Sequence, residues 1–143
     1  MIFSQKLFLL ASIITLSGCA SNDIYRQSSA FGYSNQAGPG KLTTVSVRIV
    51  ADRKIAEGYL LYRCAELAQK AGHPYFVLYK NVPSAVHNVP IIEPISELID
   101  TVAFGLAKQL TVYAYFIDEQ RIGTYSVADT LSKYEKSLRR QAQ

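Results

Sequence analysis

Residues 43–80, TTVSVRIVADRKIAEGYLLYRCAELAQKAGHPYFVLYK, decide the architecture. Val45, Val47 and Ile49 alternate with Thr44, Ser46 and Arg48, the two-residue period of a half-buried strand, assigned to 43–50. Asp52 stands where a helix N-cap is wanted. Gly72 stands where the chain must leave the helix through a left-handed residue, which predicts a helix over 53–71. Ala56, Leu60, Cys64, Leu67 and Ala71 fall on one arc of that helix, with Glu57, Gly58, Glu66 and Gln69 largely away from it. His73-Pro74 breaks the helix, and the wholly apolar YFVLY opens a second strand over 75–80. Strand, long helix, strand is a β-α-β crossover, so the two strands are expected to pair in parallel.

Working outward, residues 81–94 hold three prolines and read as a loop. Ile95, Leu98, Ile99, Val102, Ala103 and Leu106 recur at helical spacing opposite Glu97, Asp100 and Lys108, which predicts an inserted helix over 95–108. A third strand follows at 110–118, with Tyr113 and Tyr115 on one face and Val112, Ala114 and Phe116 on the other. Ser126 and Asp129 resemble a weak capping box for a C-terminal helix over 127–140, which carries Val127, Leu131, Tyr134 and Leu138 on one side. The expected fold is α/β, a two-layer sandwich. The helix 53–71 is expected on one sheet face and the insert or the C-terminal helix on the other.

The N-terminus has a different grammar. Lys6 precedes the run LFLLASIITL at 7–16, ten residues of which eight are apolar, and Ser17-Gly18-Cys19 follows. Spanning a bilayer takes about 20 apolar residues, so this run is too short for a permanent membrane helix. Charged start, short apolar core and small residues at a cleavage site make a secretory signal. Leu16-Ser17-Gly18-Cys19 resembles the lipobox of bacterial lipoproteins, in which the cysteine thiol is alkylated by diacylglycerol and becomes the first mature residue. Residues 1–18 are therefore read as signal peptide, 19–41 as a lipidated tether and 42–143 as one α/β domain. Ala20 rather than Asp after Cys19 implies, by the same resemblance, the outer membrane, with the domain at its periplasmic face. The Ser-, Asn- and Gly-rich tether reaches at most about 70 Å at ~3.3 Å per residue, and its Phe31, Gly32 and Tyr33 are candidates to dock on the domain.

Removing residues 1–18 from the 143 leaves 125 and lowers the formal charge from +4 to +3, since only Lys6 is lost. That is one domain's worth of chain. The balance is too weakly basic to argue for nucleic acid. With Cys19 lipidated, Cys64 has no disulfide partner and is read as a buried, inert thiol on the first helix.

Phe31-Gly32-Tyr33-Ser34, a Val-x-Val strand, Tyr59-Leu60-Leu61-Tyr62-Arg63-Cys64-Ala65-Glu66-Leu67-Ala68, Gly72 and Tyr75-Phe76 follow one another in order. The series resembles a family of small, poorly characterised Gram-negative outer-membrane lipoproteins whose core is a GYS segment, a strand, an LLYRAAELA helix, a glycine and a strand beginning YF. Tyr125 and residues 127–131 fall where that family has its closing strand and short last helix. Cys64 in place of alanine, His73-Pro74 in place of a more polar pair, and an aliphatic insert at 84–108 are departures. The resemblance implies location and fold, and no reaction.

Enzymes need convergent groups with matched pKa values. The chain has two histidines: His73 at a helix end, where an imidazole commonly caps carbonyls, and His87 in a proline-rich loop. Cys64, His73 and His87 match no metal-ligand spacing. Glu93 and Glu97 read as a solvated helix start, and Arg63 with Glu66 as a local ion pair orienting the first helix. No catalytic residue, metal ligand or cofactor is expected. A contact surface is expected at Tyr113 and Tyr115, at Phe104 of the insert, and at the basic stripe Lys133, Lys136 and Arg140. The expected function is a non-enzymatic interaction, structural or sensory module of the cell envelope. Its partners would be the membrane through Cys19 and an envelope protein or cell-wall component. The alternatives are an unrecognised envelope hydrolase, or a small-ligand or glycan binder using the tyrosine-rich sheet face.

Overall fold

Valines and isoleucines alternating with polar residues need a sheet neighbour on each side and a cover on one face, and the chain supplies both. The structure, a computed structural model, describes residues 25, 27, 32–49, 52–92, 95, 99–100 and 108–141. Strands β1 (Gly32–Ala37), β2 (Thr43–Ile49), β3 (Tyr75–Tyr79), β5 (Lys108–Ile117) and β6 (Thr124–Ser126) form one sheet in the order β1-β2-β5-β3-β6. Every neighbouring pair is antiparallel. The two-residue strand β4 (Ile99–Asp100) also pairs with β5, at Leu110 and Gln109. Helices α1 (Arg53–Ala71), α2 (Val82–Val86) and α3 (Val127–Gln141) complete the chain. This is the expected α/β two-layer sandwich.

Three local expectations are met atom by atom. Asp52 caps α1 by accepting the Lys54 N–H at 2.7 Å. Gly72 closes it at φ 83°, and the His73 N–H reaches the Ala68 carbonyl at 3.0 Å. Ser126 accepts the Asp129 N–H at 3.2 Å at the start of α3.

The strand neighbours differ from the expectation. β2 and β3 run the same way across the α1 crossover, yet they do not pair, because β5 lies between them and is antiparallel to both. The physical reason is visible in β5. Its Val112 and Ala114 are fully buried under the helices while Tyr113 and Tyr115 fill the opposite face, so the strand has the composition of a sheet centre. A long crossover can step over one strand as easily as none.

Two further readings are corrected. The segment assigned to the tether contributes β1, in register with β2 from Gly32 opposite Arg48 to Ala37 opposite Thr43. The inserted helix is contradicted where the chain is described: Ile99 and Asp100 are strand and Lys108 begins β5, while Ile95 packs into the core at 4 % exposure. Ile99 and Asp100 are instead taken up by the open side of β5, which extends beyond the reach of β3; Leu98, Val102, Ala103 and Leu106 lie outside the described residues.

α1 and α3 occupy the same layer. Ala56, Leu60, Cys64, Ala65 and Ala68 of α1 meet Val45, Val47, Ile49, Phe76, Leu78, Leu110, Val112 and Ala114 of the sheet. Val127 joins this core, and Leu131, Tyr134 and Leu138 pack against it. Gly58, expected to lie away from the buried arc, is instead buried against the Tyr134 ring, because α1 has a second partner in α3. Ala71, expected to be buried, is exposed at the helix end. The C-terminal helix therefore does not cover the second sheet face, which is left to shorter pieces of chain.

Candidate functional site

The sheet face opposite α1 and α3 carries Arg48, Gln109, Ser46, Thr111, Tyr113 and Tyr115, together with Val77 and Tyr79 of β3. Near β2 it is a ladder of polar pairs. The Ser46 and Thr111 hydroxyls lie 2.9 Å apart, and Arg48 donates to Gln109 Oε1 at 3.1 and 2.6 Å. Nearer β3 the ladder gives way to tyrosine, with Tyr79 directly across from Tyr113.

Three turns close over the tyrosines. The β1–β2 turn bends at Pro39-Gly40, with Gly40 at φ 59°, and presents Lys41. After β3 the chain enters α2, capped by the Asn81 side chain on the Ser84 N–H at 2.8 Å, and leaves it through Asn88 at φ 54°. Asn is one of the few residues with a side chain that accepts this backbone. It aims its side-chain oxygen at Tyr79, whose hydroxyl donates to it at 2.8 Å. The third turn, 118–123, brings Arg121 over the same hydroxyl, with Nη2 donating to it at 3.0 Å. Tyr79 is thereby sealed to 3 % exposure and the guanidinium is oriented.

What remains open is a pair of adjoining clefts that share Lys41, Tyr115 and Arg121. One, of about 430 Å³, lies between the β1–β2 turn and α2, with Tyr79 and Tyr115 in its floor and Val82 and Val86 on its wall. Among the described residues lining it there are two cations, Lys41 and Arg121, and no carboxylate. The other, of about 560 Å³, adds His73, Asp118 and Glu119. There His73 Nδ1 and Asp118 Oδ1 are 2.8 Å apart. The imidazole thus meets a carboxylate instead of capping helix carbonyls, a task its own backbone N–H performs. A histidine–carboxylate pair is half of a nucleophile-activating set. Among the described residues lining this cleft there is no serine, threonine or cysteine for it to act on. The arrangement can hold an anion against aromatic faces.

Of the expected surface residues, Tyr115 lies between the two clefts and Tyr113 is half-buried on the same face. Lys133 and Lys136 are exposed on α3, in the other layer, so the basic stripe and the tyrosines do not meet; Lys133 Nζ stands 5.2 Å from the Tyr134 ring centre. Arg140 lies in α3, and its side chain is outside what is described, as are Cys19, Phe104, Glu93 and Glu97. Cys64 is fully buried, and burial pushes its thiol well above the ordinary range. Among the described residues no group of three or more His, Cys, Asp or Glu side chains is placed to hold a metal. The Arg63–Glu66 pair forms at 2.9 Å.

Lys41, Tyr79, Asn88 and Arg121 were not legible as site residues. Tyr79 carried a partial signal as one of two tyrosines on one face of the apolar strand YFVLY. Lys41 and Arg121 lie in turns, where no periodicity reports on neighbours. No protein-family model, curated protein or solved structure matches the chain.

Proposed function

We propose that the chain is a lipoprotein of the bacterial cell envelope, anchored through Cys19 at the outer membrane, whose domain binds a carboxylate-bearing glycan or peptide of the wall in the tyrosine-floored cleft. The observation that carries the binding is that Lys41 and Arg121 line one cleft with Tyr115 and Tyr79, and that the described residues lining that cleft include no carboxylate. An arginine oriented by a tyrosine hydroxyl is well suited to a carboxylate, because its planar fork donates two parallel bonds to the two oxygens. Tyrosine faces suit the apolar side of a sugar ring. The anchoring is supported by Leu16-Ser17-Gly18-Cys19 at the end of a short apolar run, and two or more acyl chains hold a protein stably at a bilayer.

Two measurements test the reading. Fatty-acid labelling in cells should mark the wild type and not Cys19→Ser; unlabelled wild type defeats the anchor. Saturation-transfer NMR should show N-acetylmuramic acid bound and N-acetylglucosamine, which lacks the carboxylate, bound far less. Arg121→Ala should weaken the acidic sugar by about tenfold, the loss of one charge-assisted contact of about 1.4 kcal/mol. Equal behaviour of the two sugars would remove the cleft from the account.

A further inference from the structure

The chain meets its own domain much sooner after Cys19 than β1. Tyr25 lies in the seam between the edge strand β1 and the outer side of α1. Its ring centre is 4.8 Å from that of Tyr33, 5.4 Å from Tyr59 and 5.3 Å from Tyr62, the last two edge-on. Its hydroxyl donates to Glu66 Oε2 at 2.5 Å, and the same oxygen accepts Arg63 Nη1 at 2.9 Å. Two residues on, Gln27 bridges to Tyr33 along the open side of β1. Three aromatic rings and an ion pair converge on one residue of a segment otherwise rich in Ser, Asn and Gln.

We infer that Tyr25 is a latch that shortens the membrane leash and turns the β1–α1 seam toward the bilayer, leaving the tyrosine cleft on the side facing away. The inference rests on lipidation of Cys19. Tyr25 lies six positions beyond Cys19, a reach of about 20 Å when extended, against about 45 Å for Gly32, thirteen positions beyond. The orientation follows from the sheet. Tyr33 is paired with Val47, and cross-strand partners share a face, so Tyr25 docks on the helix side. The cleft floor, Tyr79 and Tyr115, lies on the other face. An anchor attached at the seam and a cleft opening from the opposite face suit a domain that reaches from its membrane toward the wall.

The latch is tested by moving extra length along the leash in the mature lipidated protein, reconstituted in vesicles that carry a headgroup-linked fluorescence acceptor. A donor dye is placed at Ser34→Cys on β1 or at Ile122→Cys on the far turn; Cys64 is buried and stays unlabelled. The Ser34 donor should transfer more strongly than the Ile122 donor. A twelve-residue Gly/Ser insertion between Ser21 and Asn22 raises the r.m.s. leash span from about 13 to about 23 Å, and transfer at Ser34 should fall about twofold. The same insertion between Ser28 and Ser29 lies behind the latch and should change nothing. Equal losses from both insertions, or equal transfer at the two donor sites, would overturn the latch while leaving the anchor standing. A chain that carries no fatty acid would overturn the anchor, and the proposal with it.

Discussion

Arg63 donates to the side-chain oxygen of Asn35 through both Nε and Nη2, at 3.2 and 2.9 Å, and so ties the middle of α1 to the edge strand β1. Its remaining arm serves Glu66, and its guanidinium lies 4.3 Å from the Tyr33 ring centre. A lysine offers neither the fork nor the flat face. Arg63→Lys is therefore expected to destabilise the domain by about 1–2 kcal/mol, the scale of hydrogen bonds to a charged group. Urea unfolding measures the loss, and hydrogen exchange should show it concentrated in the amides of β1.

The contact between α1 and α3 turns on a missing side chain. A Cβ at Gly58 would stand 3.0 Å from Cδ1 and 3.1 Å from Cε1 of Tyr134. Tyr134 is half-buried and can give by a few tenths of an ångström, while alanine returns up to about 1 kcal/mol of helix propensity. Gly58→Ala should therefore stay within about 1 kcal/mol of wild type. Gly58→Leu cannot be absorbed this way and should cost about 2 kcal/mol by forcing α3 off α1. Chemical denaturation of the pair distinguishes the two effects.

Burial pushes the Tyr25 phenol far above its ordinary 10.0; the hydrogen bond to Glu66 and its negative charge add to this, against a smaller opposing effect of Arg63. A folded-state value above the unfolded one means that the stabilisation is full below about pH 10 and declines as pH rises beyond it, because only the unfolded chain then gains by ionising. Spectroscopic titration of the phenols should show one that does not ionise with the exposed tyrosines. Alkaline loss of stability should be shallower in Tyr25→Phe. Identical curves for the two proteins would contradict the contact.

Cys64 is fully buried, and desolvation raises its thiol well above the range in which thiolate forms at neutral pH. A water-soluble thiol reagent at pH 8 should leave the native domain unmodified and react fully in denaturant. In native buffer the rate should follow the opening of the core, and rapid reaction would contradict the burial.

Much of the helix and strand content was legible because its causes are local. Asp52, Gly72 and Ser126 act on backbone groups within five residues of themselves, and the alternation of Val45, Val47 and Ile49 needs only some covered face. β1 was hidden because GYSNQA has the composition of a linker; only pairing with β2 and the reach of Arg63 to Asn35 make it a strand. The 95–108 insert misled for the opposite reason, since an apolar run satisfies a helix and a free sheet edge equally well. Tyr115 was foreseen as surface, whereas Lys41 and Arg121 become its neighbours only when two turns far apart in sequence fold over the same strand.

The residues alone were enough for the crossover from β2 through α1 to β3, the caps and the tyrosine face of β5. Each of these is set by chemistry within a turn of helix or a few residues of strand. It took the folded chain to place β5 between β2 and β3, to put α1 and α3 in one layer, and to bring Tyr25 back to the domain six residues after Cys19. Those outcomes depend on which apolar surfaces and unpaired edges compete for one another across the whole chain, and no local pattern encodes the winner of that competition.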